Sequence, residues 1–169
     1  GQTYPKNIIL KYAFPARADM PPVDLYWYEN GLMPPRPEGI PEGDVLGDKQ
    51  NGSLFIGSKG FLTAGEYGGN ARLLPDSIMA DYKKPDQTLP RVSGANHYRN
   101  FLDACKGNAP AVSNFDYAGP FTEMVLLGNV ALRLNKAISF STESMQITND
   151  AAAQTLLTKP YRAGWELPV

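Results

Sequence analysis

The longest helical pattern in the chain runs from Ser113 to Lys136, SNFDYAGPFTEMVLLGNVALRLNK. At roughly 100° per residue, Thr122, Asn129, Arg133 and Lys136 share one narrow strip, and Met124, Val125, Leu127, Val130, Ala131 and Leu134 fill most of the remaining circumference. So narrow a polar strip predicts a helix largely buried against other elements. Gly128 falls on the buried side, where a missing side chain lets a sheet or a second helix come close. Pro120 suits a first helical position, because it lacks only an N–H that a helix start leaves unpaired. A second helix is predicted over Ser93–Lys106. There Tyr98, Phe101, Leu102 and Cys105 cluster within an arc of about 100°, Asn96, Arg99, Asn100, Asp103 and Lys106 face away, and Gly107 supplies the stop. Asn149-Asp150 caps a third helix over Ala151–Lys159, ended by Pro160.

Period two governs the first part of the chain. In residues 7–14, NIILKYAF, Ile8, Leu10, Tyr12 and Phe14 alternate with Ile9, Lys11 and Ala13. Val23–Tyr28 repeats the pattern, with Val23, Leu25 and Trp27 on one face and Asp24, Tyr26 and Tyr28 on the other. The two strands are predicted to be antiparallel neighbours, with Pro15–Pro22 too rich in proline to pair. Ser53–Thr63 reads as a hairpin around Gly57-Ser58-Lys59-Gly60. Short strands are predicted at Ala71–Leu74, Ile138–Phe140 and Met145–Ile147. Glu29–Gly52 is a long irregular segment stiffened by Pro34, Pro35, Pro37 and Pro41, and loops of that length are usually functional or reach toward a partner. Asn51-Gly52-Ser53 matches a glycosylation pattern but reads better as a turn. Pro75–Val92 is mostly irregular, and the tail Tyr161–Leu167, with Trp165, is expected to dock on the body. Strands mainly first and helices mainly last predict an α+β fold: an open, largely antiparallel or mixed sheet with helices packed on one face.

Length and composition add bounds. A chain of 169 residues, 43% hydrophobic, can bury the core of a single domain spanning 1–169. Sixteen basic against seventeen acidic residues leave a net charge of −1, with no basic excess for nucleic acid and no polybasic run for a membrane surface. No window approaches the roughly 18 apolar residues of a membrane span. The single Cys105 excludes an internal disulfide and leaves the compartment open between bacterial cytoplasm and periplasm.

Candidate chemistry is sparse. Cys105, central in an apolar arc, reads as buried filler. One histidine and one cysteine make no zinc site, so no metal is expected. His97 fits a general acid or base, a substrate contact, or a helix-start residue with a local hydrogen bond. Asp116 and Tyr117 stand at the entrance of the long helix, where exposed N–H groups favour a carboxylate and capping alone would account for Asp116. Arg36, in the proline-rich loop, fits a clamp on an anionic or hydroxylated substrate or a solvated loop cation. Lys83-Lys84-Pro85 is a charged turn. Glu66-Tyr67-Gly68-Gly69 lacks the spacing of a dinucleotide loop, and no P-loop or G-x-S-x-G elbow occurs. The chain carries no self-sufficient catalytic or cofactor-binding motif.

Longer runs carry a resemblance. His97-Tyr98-Arg99-Asn100-Phe101-Leu102-Asp103-Ala104-Cys105-Lys106-Gly107, Ser113-Asn114-Phe115-Asp116-Tyr117-Ala118-Gly119-Pro120, Leu126-Leu127-Gly128-Asn129-Val130-Ala131 and Tyr161-Arg162-Ala163-Gly164-Trp165-Glu166-Leu167 resemble the Gfo/Idh/MocA oxidoreductases of the bacterial C-terminal-domain subfamily. Phe14-Pro15-Ala16-Arg17, Met20-Pro21-Pro22 and Pro34-Pro35-Arg36-Pro37 fit the same subfamily. The resemblance implies only the second part of such a protein, a substrate and oligomerisation domain. It implies a partner N-terminal Rossmann domain that binds NAD or NADP, a sugar or polyol substrate, and a homo-oligomer through the sheet face. The family's G-x-G-x-x-G turn, E-K-P lysine and D-x-x-x-H segment have no counterpart. Lys84-Pro85 follows Lys83 in a polar loop, so neither catalytic lysine nor catalytic histidine carries over, His97 included. Pocket walls are expected from Trp27, Tyr28, Arg36, His97, Asp116 and Tyr117. A non-catalytic carbohydrate-binding or scaffold module, using Tyr26, Trp27 and Tyr28, stands as the alternative. So does an NAD-dependent glycoside hydrolase domain.

Overall fold

A computed structural model describes residues 4–48 and 51–166. Its class is mixed α+β, with three α-helices and several small antiparallel sheets. The chain divides into two compact units, Gly1–Lys11 with Asp24–Thr88, and Tyr12–Val23 with Leu89–Val169.

Strands β1 (Ile9–Phe14) and β2 (Val23–Tyr28) form a two-stranded ribbon where period two predicts it. Lys11 bridges to Asp24 at 2.9 Å and lies 5.5 Å over the Tyr26 ring. Those contacts, the bond to Asp24 foremost, raise the Lys11 pKa. Tyr26 stacks on Tyr28 and Tyr12 on Phe14, each pair with centroids 6.4 Å apart, and partial burial raises the Tyr12 pKa. The Pro15–Pro22 connection does pair, against expectation: Arg17 and Met20 exchange backbone bonds of 3.1 and 2.9 Å. Both have the N–H that Pro15, Pro21 and Pro22 lack, and Ala18 takes a left-handed φ of 49° to close the turn between them.

The rest of the first unit is built on β3 (Ser53–Gly57), β4 (Gly60–Ala64) and β5 (Arg72–Leu74), antiparallel in that order. Gly57 pairs with Gly60, so Ser58-Lys59 is the two-residue turn that the glycines predict. Leu74, opposite Phe61, is 1% exposed; Ile8, Ile40 and Ala64 are also buried. Thr63 is the one buried polar residue among those described. Its hydroxyl accepts from Gly47 N–H at 2.8 Å and donates to the Ser53 carbonyl at 3.0 Å, which satisfies its polar atom. Among its described residues the long segment before β3 has no regular structure, as predicted. Asp48 closes its end, with its N–H on the Asn51 carbonyl at 2.7 Å and Oδ2 accepting from Glu66 N–H at 2.9 Å. A Cβ at Gly65 would stand 2.1 Å from that carboxylate, so a side chain there would displace Asp48.

The second unit holds α1 (His97–Cys105), α2 (Phe115–Leu134), the pair β6 (Phe140–Ser141) and β7 (Gln146–Ile147), and α3 (Ala151–Gln154). Val130, Ile147 and Ala153 form its core, with Leu127, Leu134, Ile138, Phe140, Leu156 and Leu157 packed around them. Asp150 caps α3, its carboxylate accepting from Ala152 and Ala153 N–H at 2.9 and 3.0 Å. Those backbone bonds, above all the one from Ala153, and Lys136 at 3.1 Å hold the Asp150 pKa below its usual value. The third helix is shorter than predicted. Thr155 turns its hydroxyl back onto the Ala152 carbonyl at 2.7 Å, and the chain tightens into a 3-10 turn over Thr155–Leu157. Met145 takes a φ of 55° and so drops out of the predicted strand.

Helix starts also differ from expectation. Ser93–Ala95 is a separate 3-10 turn, because Gly94 and Ala95 take left-handed φ values of 61° and 52° that no right-handed helix can continue. Asn96 then caps α1 by accepting from Arg99 N–H at 2.9 Å. Pro120 is not at the start of α2 but inside it. The start is fixed instead by Asn114, whose Oδ1 accepts from Tyr117 N–H at 3.2 Å. Proline at 120 then leaves one i−4 carbonyl without its usual intrahelical partner. From Glu123 onward α2 is half-buried or buried at most positions, with Gly128 and Val130 fully so, but its first two turns are mostly exposed.

Candidate functional site

The predicted site residues separate by unit. Trp27, Tyr28 and Arg36 belong to the first, His97, Asp116 and Tyr117 to the second.

In the first unit Trp27 is 49% exposed near the end of β2, and Tyr28 is half-buried beside Tyr26. Arg36 is not a free clamp. Its Nη1 donates to the Pro41 carbonyl at 2.9 Å and the Asp44 carbonyl at 3.0 Å, so it staples its own loop. Arg72 holds the same loop from β5, donating to the Val45 and Asn70 carbonyls while its Nε meets Asp76 Oδ1 at 2.9 Å. Asp44 Oδ2 in turn accepts from Asp76 N–H at 2.8 Å. A guanidinium suits this work because its donors diverge in one plane and reach several carbonyls at once. Met33, Pro34, Arg36, Glu42, Asp44, Val45 and Leu46 line an open depression of about 390 Å³ on this loop. Its chemistry does not suit a dinucleotide: the lining carries two carboxylates, and Arg36 already serves two carbonyls. No step through NAD(P) is therefore assigned to these residues.

In the second unit His97 is the first, exposed residue of α1. Asp116 lies in the first turn of α2, where the helix dipole favours its charge, but the capping contact belongs to Asn114. Tyr117 is 66% exposed and stacks flat on Phe121 at 6.3 Å. Asn100 links the two helices' approaches, donating to the Pro110 carbonyl at 3.4 Å and accepting from Val112 N–H at 3.0 Å. Asn114 adds a bond to the Ala111 carbonyl at 3.3 Å. The pattern of hydrophobic positions gives no sign of these asparagine links; only the polar residue type at a helix entrance hints at them.

The apolar arc of α1 corrects the sequence reading most. Tyr98, Phe101 and Leu102 are 86%, 64% and 50% exposed, and Cys105 is exposed rather than buried filler. The half-buried positions are the polar-side Asn100 and Asp103, with Ala104. Trp165 does not dock either. It is 67% exposed, with the Arg162 guanidinium 4.8 Å over its ring, and Leu167 lies outside the described residues. Tyr98, Phe101, Leu102 and Trp165 are thus large side chains left uncovered among the described residues. Among the described residues no three metal-ligating side chains gather to hold an ion, and no helix is long and apolar enough to cross a membrane.

The family described as oxidoreductase family, C-terminal alpha/beta domain, matches residues 72–167, more than half of the chain. The match takes in β5, all three helices and the exposed arc of α1. No curated protein matches the chain. Members of this family join such a domain to an N-terminal one. The chain thus belongs to the Gfo/Idh/MocA oxidoreductases, as their C-terminal alpha/beta domain.

Proposed function

We propose that the 169 residues act together as the substrate-binding and oligomerisation domain of an NAD(P)-dependent oxidoreductase of a sugar or polyol. Membership of the oxidoreductase family carries the reading. In the whole protein the nicotinamide supplies the hydride chemistry from the preceding Rossmann domain. Within the first unit Trp27 and Tyr28 offer apolar faces for a sugar ring; within the second, His97, Asp116 and Tyr117 offer polar and aromatic contacts at the helix entrances. Arg36 acts indirectly, by fixing the loop that lines the depression. The exposed apolar surfaces serve the contact with the preceding domain and with further copies.

The test is made on the whole protein, with the preceding domain present. It should bind NAD or NADP, and reduction of the cofactor should be seen with at least one member of a panel of sugars and polyols. The chain of 169 residues alone should do neither. A whole protein with no affinity for either nucleotide would remove the reading. A specific observation favours a second one, a carbohydrate-binding module: Tyr26 and Trp27 of β2 are each about half exposed. Calorimetric titration of the isolated chain with glycans separates the two, since only the second expects heat of binding.

A further inference from the structure

The chain contains two asparagine–glycine pairs, Asn30-Gly31 and Asn51-Gly52, and both asparagines are exposed. Such a pair is chemically labile. The glycine amide nitrogen attacks the asparagine Cγ, a C–N bond forms to close a five-membered succinimide, and the Cγ–Nδ2 bond breaks to release ammonia. Water then opens either carbonyl of the ring, giving aspartate or isoaspartate. Glycine permits the attack because no Cβ shields its nitrogen or restricts its backbone. Asparagine is for this reason among the thermolabile residues. Closure still requires the side chain to swing onto the following nitrogen, so the fold decides which pair reacts.

The two pairs are held differently. Asn30 is fastened at both ends by distant chain. Its Nδ2 donates to the Lys6 carbonyl, and its own carbonyl accepts from Asn7 Nδ2 at 2.9 Å. Its φ of 55° is a further constraint, set by the turn in which Leu32 N–H reaches the Glu29 carbonyl at 3.4 Å. Reaction at Asn30 means breaking these contacts first. Asn51 has a backbone tether to Asp48 N–H, and its side chain has, among the described residues, a single contact rather than a bond to distant backbone. That side chain meets the Glu66 carboxylate at 3.4 Å, the long limit of a hydrogen bond.

We propose that Asn51-Gly52 is a site of spontaneous deamidation in the folded protein, and that the fold protects Asn30-Gly31. The product matters locally. A carboxylate at 51 would face Glu66 where an amide donor had stood, so attraction becomes repulsion. Isoaspartate would lengthen the backbone beside Gly47, whose added Cβ would already meet the Asn51 carbonyl at 2.1 Å. Both changes loosen the end of the loop that Arg36 staples.

The experiment incubates the folded chain in mildly alkaline ammonium bicarbonate and follows both peptides by mass spectrometry and isoaspartyl-specific methylation. A parallel sample is held in denaturant. The Asn51 peptide should convert about tenfold faster than the Asn30 peptide in the folded chain, the gap reflecting the local opening that Asn30 requires. In denaturant the two rates should converge. Equal rates in the folded chain, or an intact Asn51 under conditions where the denatured chain converts, would overturn the assignment.

Discussion

In the β3–β4–β5 region apolar side chains such as Leu74 and Ala64 are buried, while polar atoms are paired across the loop. Around α1 the arrangement is reversed. On the polar side Asn100 and Asp103 are half-buried, while Tyr98, Phe101 and Leu102 face water. The sequence reads as a hairpin in one region and as a helix with an apolar arc in the other, and either reading by itself promises a buried face. The difference lies in what each face meets. Backbone ladders bring β3, β4 and β5 onto one another, and the loop closes over them through Arg36, Arg72 and Thr63. An isolated amphipathic helix has no such obligation within its own chain, so its apolar side can be an interface. Buried apolar side chains thus lie in one part of the molecule and an uncovered apolar arc in another.

That contrast can be broken by substitution. The largest effect is expected at Leu74→Ala, which empties a site 1% exposed and should cost about 3 kcal/mol by denaturant titration. Next is Thr63→Val. It leaves the Gly47 N–H without its acceptor in a buried place and should cost about 1–3 kcal/mol in the same assay.

A smaller loss is expected at Asp150→Ala, read as a lowered melting temperature at neutral pH. The sign follows from the depressed pKa. The folded state holds the proton less tightly than the unfolded one, so the contribution is complete above the ordinary carboxylate value of 3.8. It is lost as pH falls through the folded value. The gap between variant and parent should therefore close in acid, and a gap that stayed constant would assign the loss to helix propensity.

The smallest effect is expected at Phe101→Ser, within about 0.5 kcal/mol for the chain alone. A substitution of an apolar aromatic that costs more than twice this would show that α1 is covered within the chain, and the contrast would fail. In the whole protein the same substitution should weaken assembly, measurable as a shift in sedimentation or domain stability.

Much of this was legible beforehand. The hairpin at Ser58-Lys59 follows from its flanking glycines, β1 and β2 from their alternation, and the cap at Asp150 from its place before an apolar run. Helix starts were less so: Asn96 and Asn114 set them, against a proline and a serine that read as better signals. Of the expected site residues, Arg36 is the one whose hydrogen bonds are with its own loop, at the Pro41 and Asp44 carbonyls. A guanidinium in a proline-rich loop is as well served by carbonyls of that loop as by a ligand, and composition does not distinguish the two.

What the sequence determined on its own is the local grammar, namely which residues alternate, which cap and which turn, together with the family to which their order belongs. These depend on neighbours a few positions away and on runs long enough to be specific. The tertiary structure alone decided which faces are covered, that Arg36 serves its loop, that Cys105 and Trp165 stand in solvent, and that one of two identical dipeptides is fastened. Each of those depends on residues brought together from distant parts of the chain, and periodicity carries no information about what a face will meet.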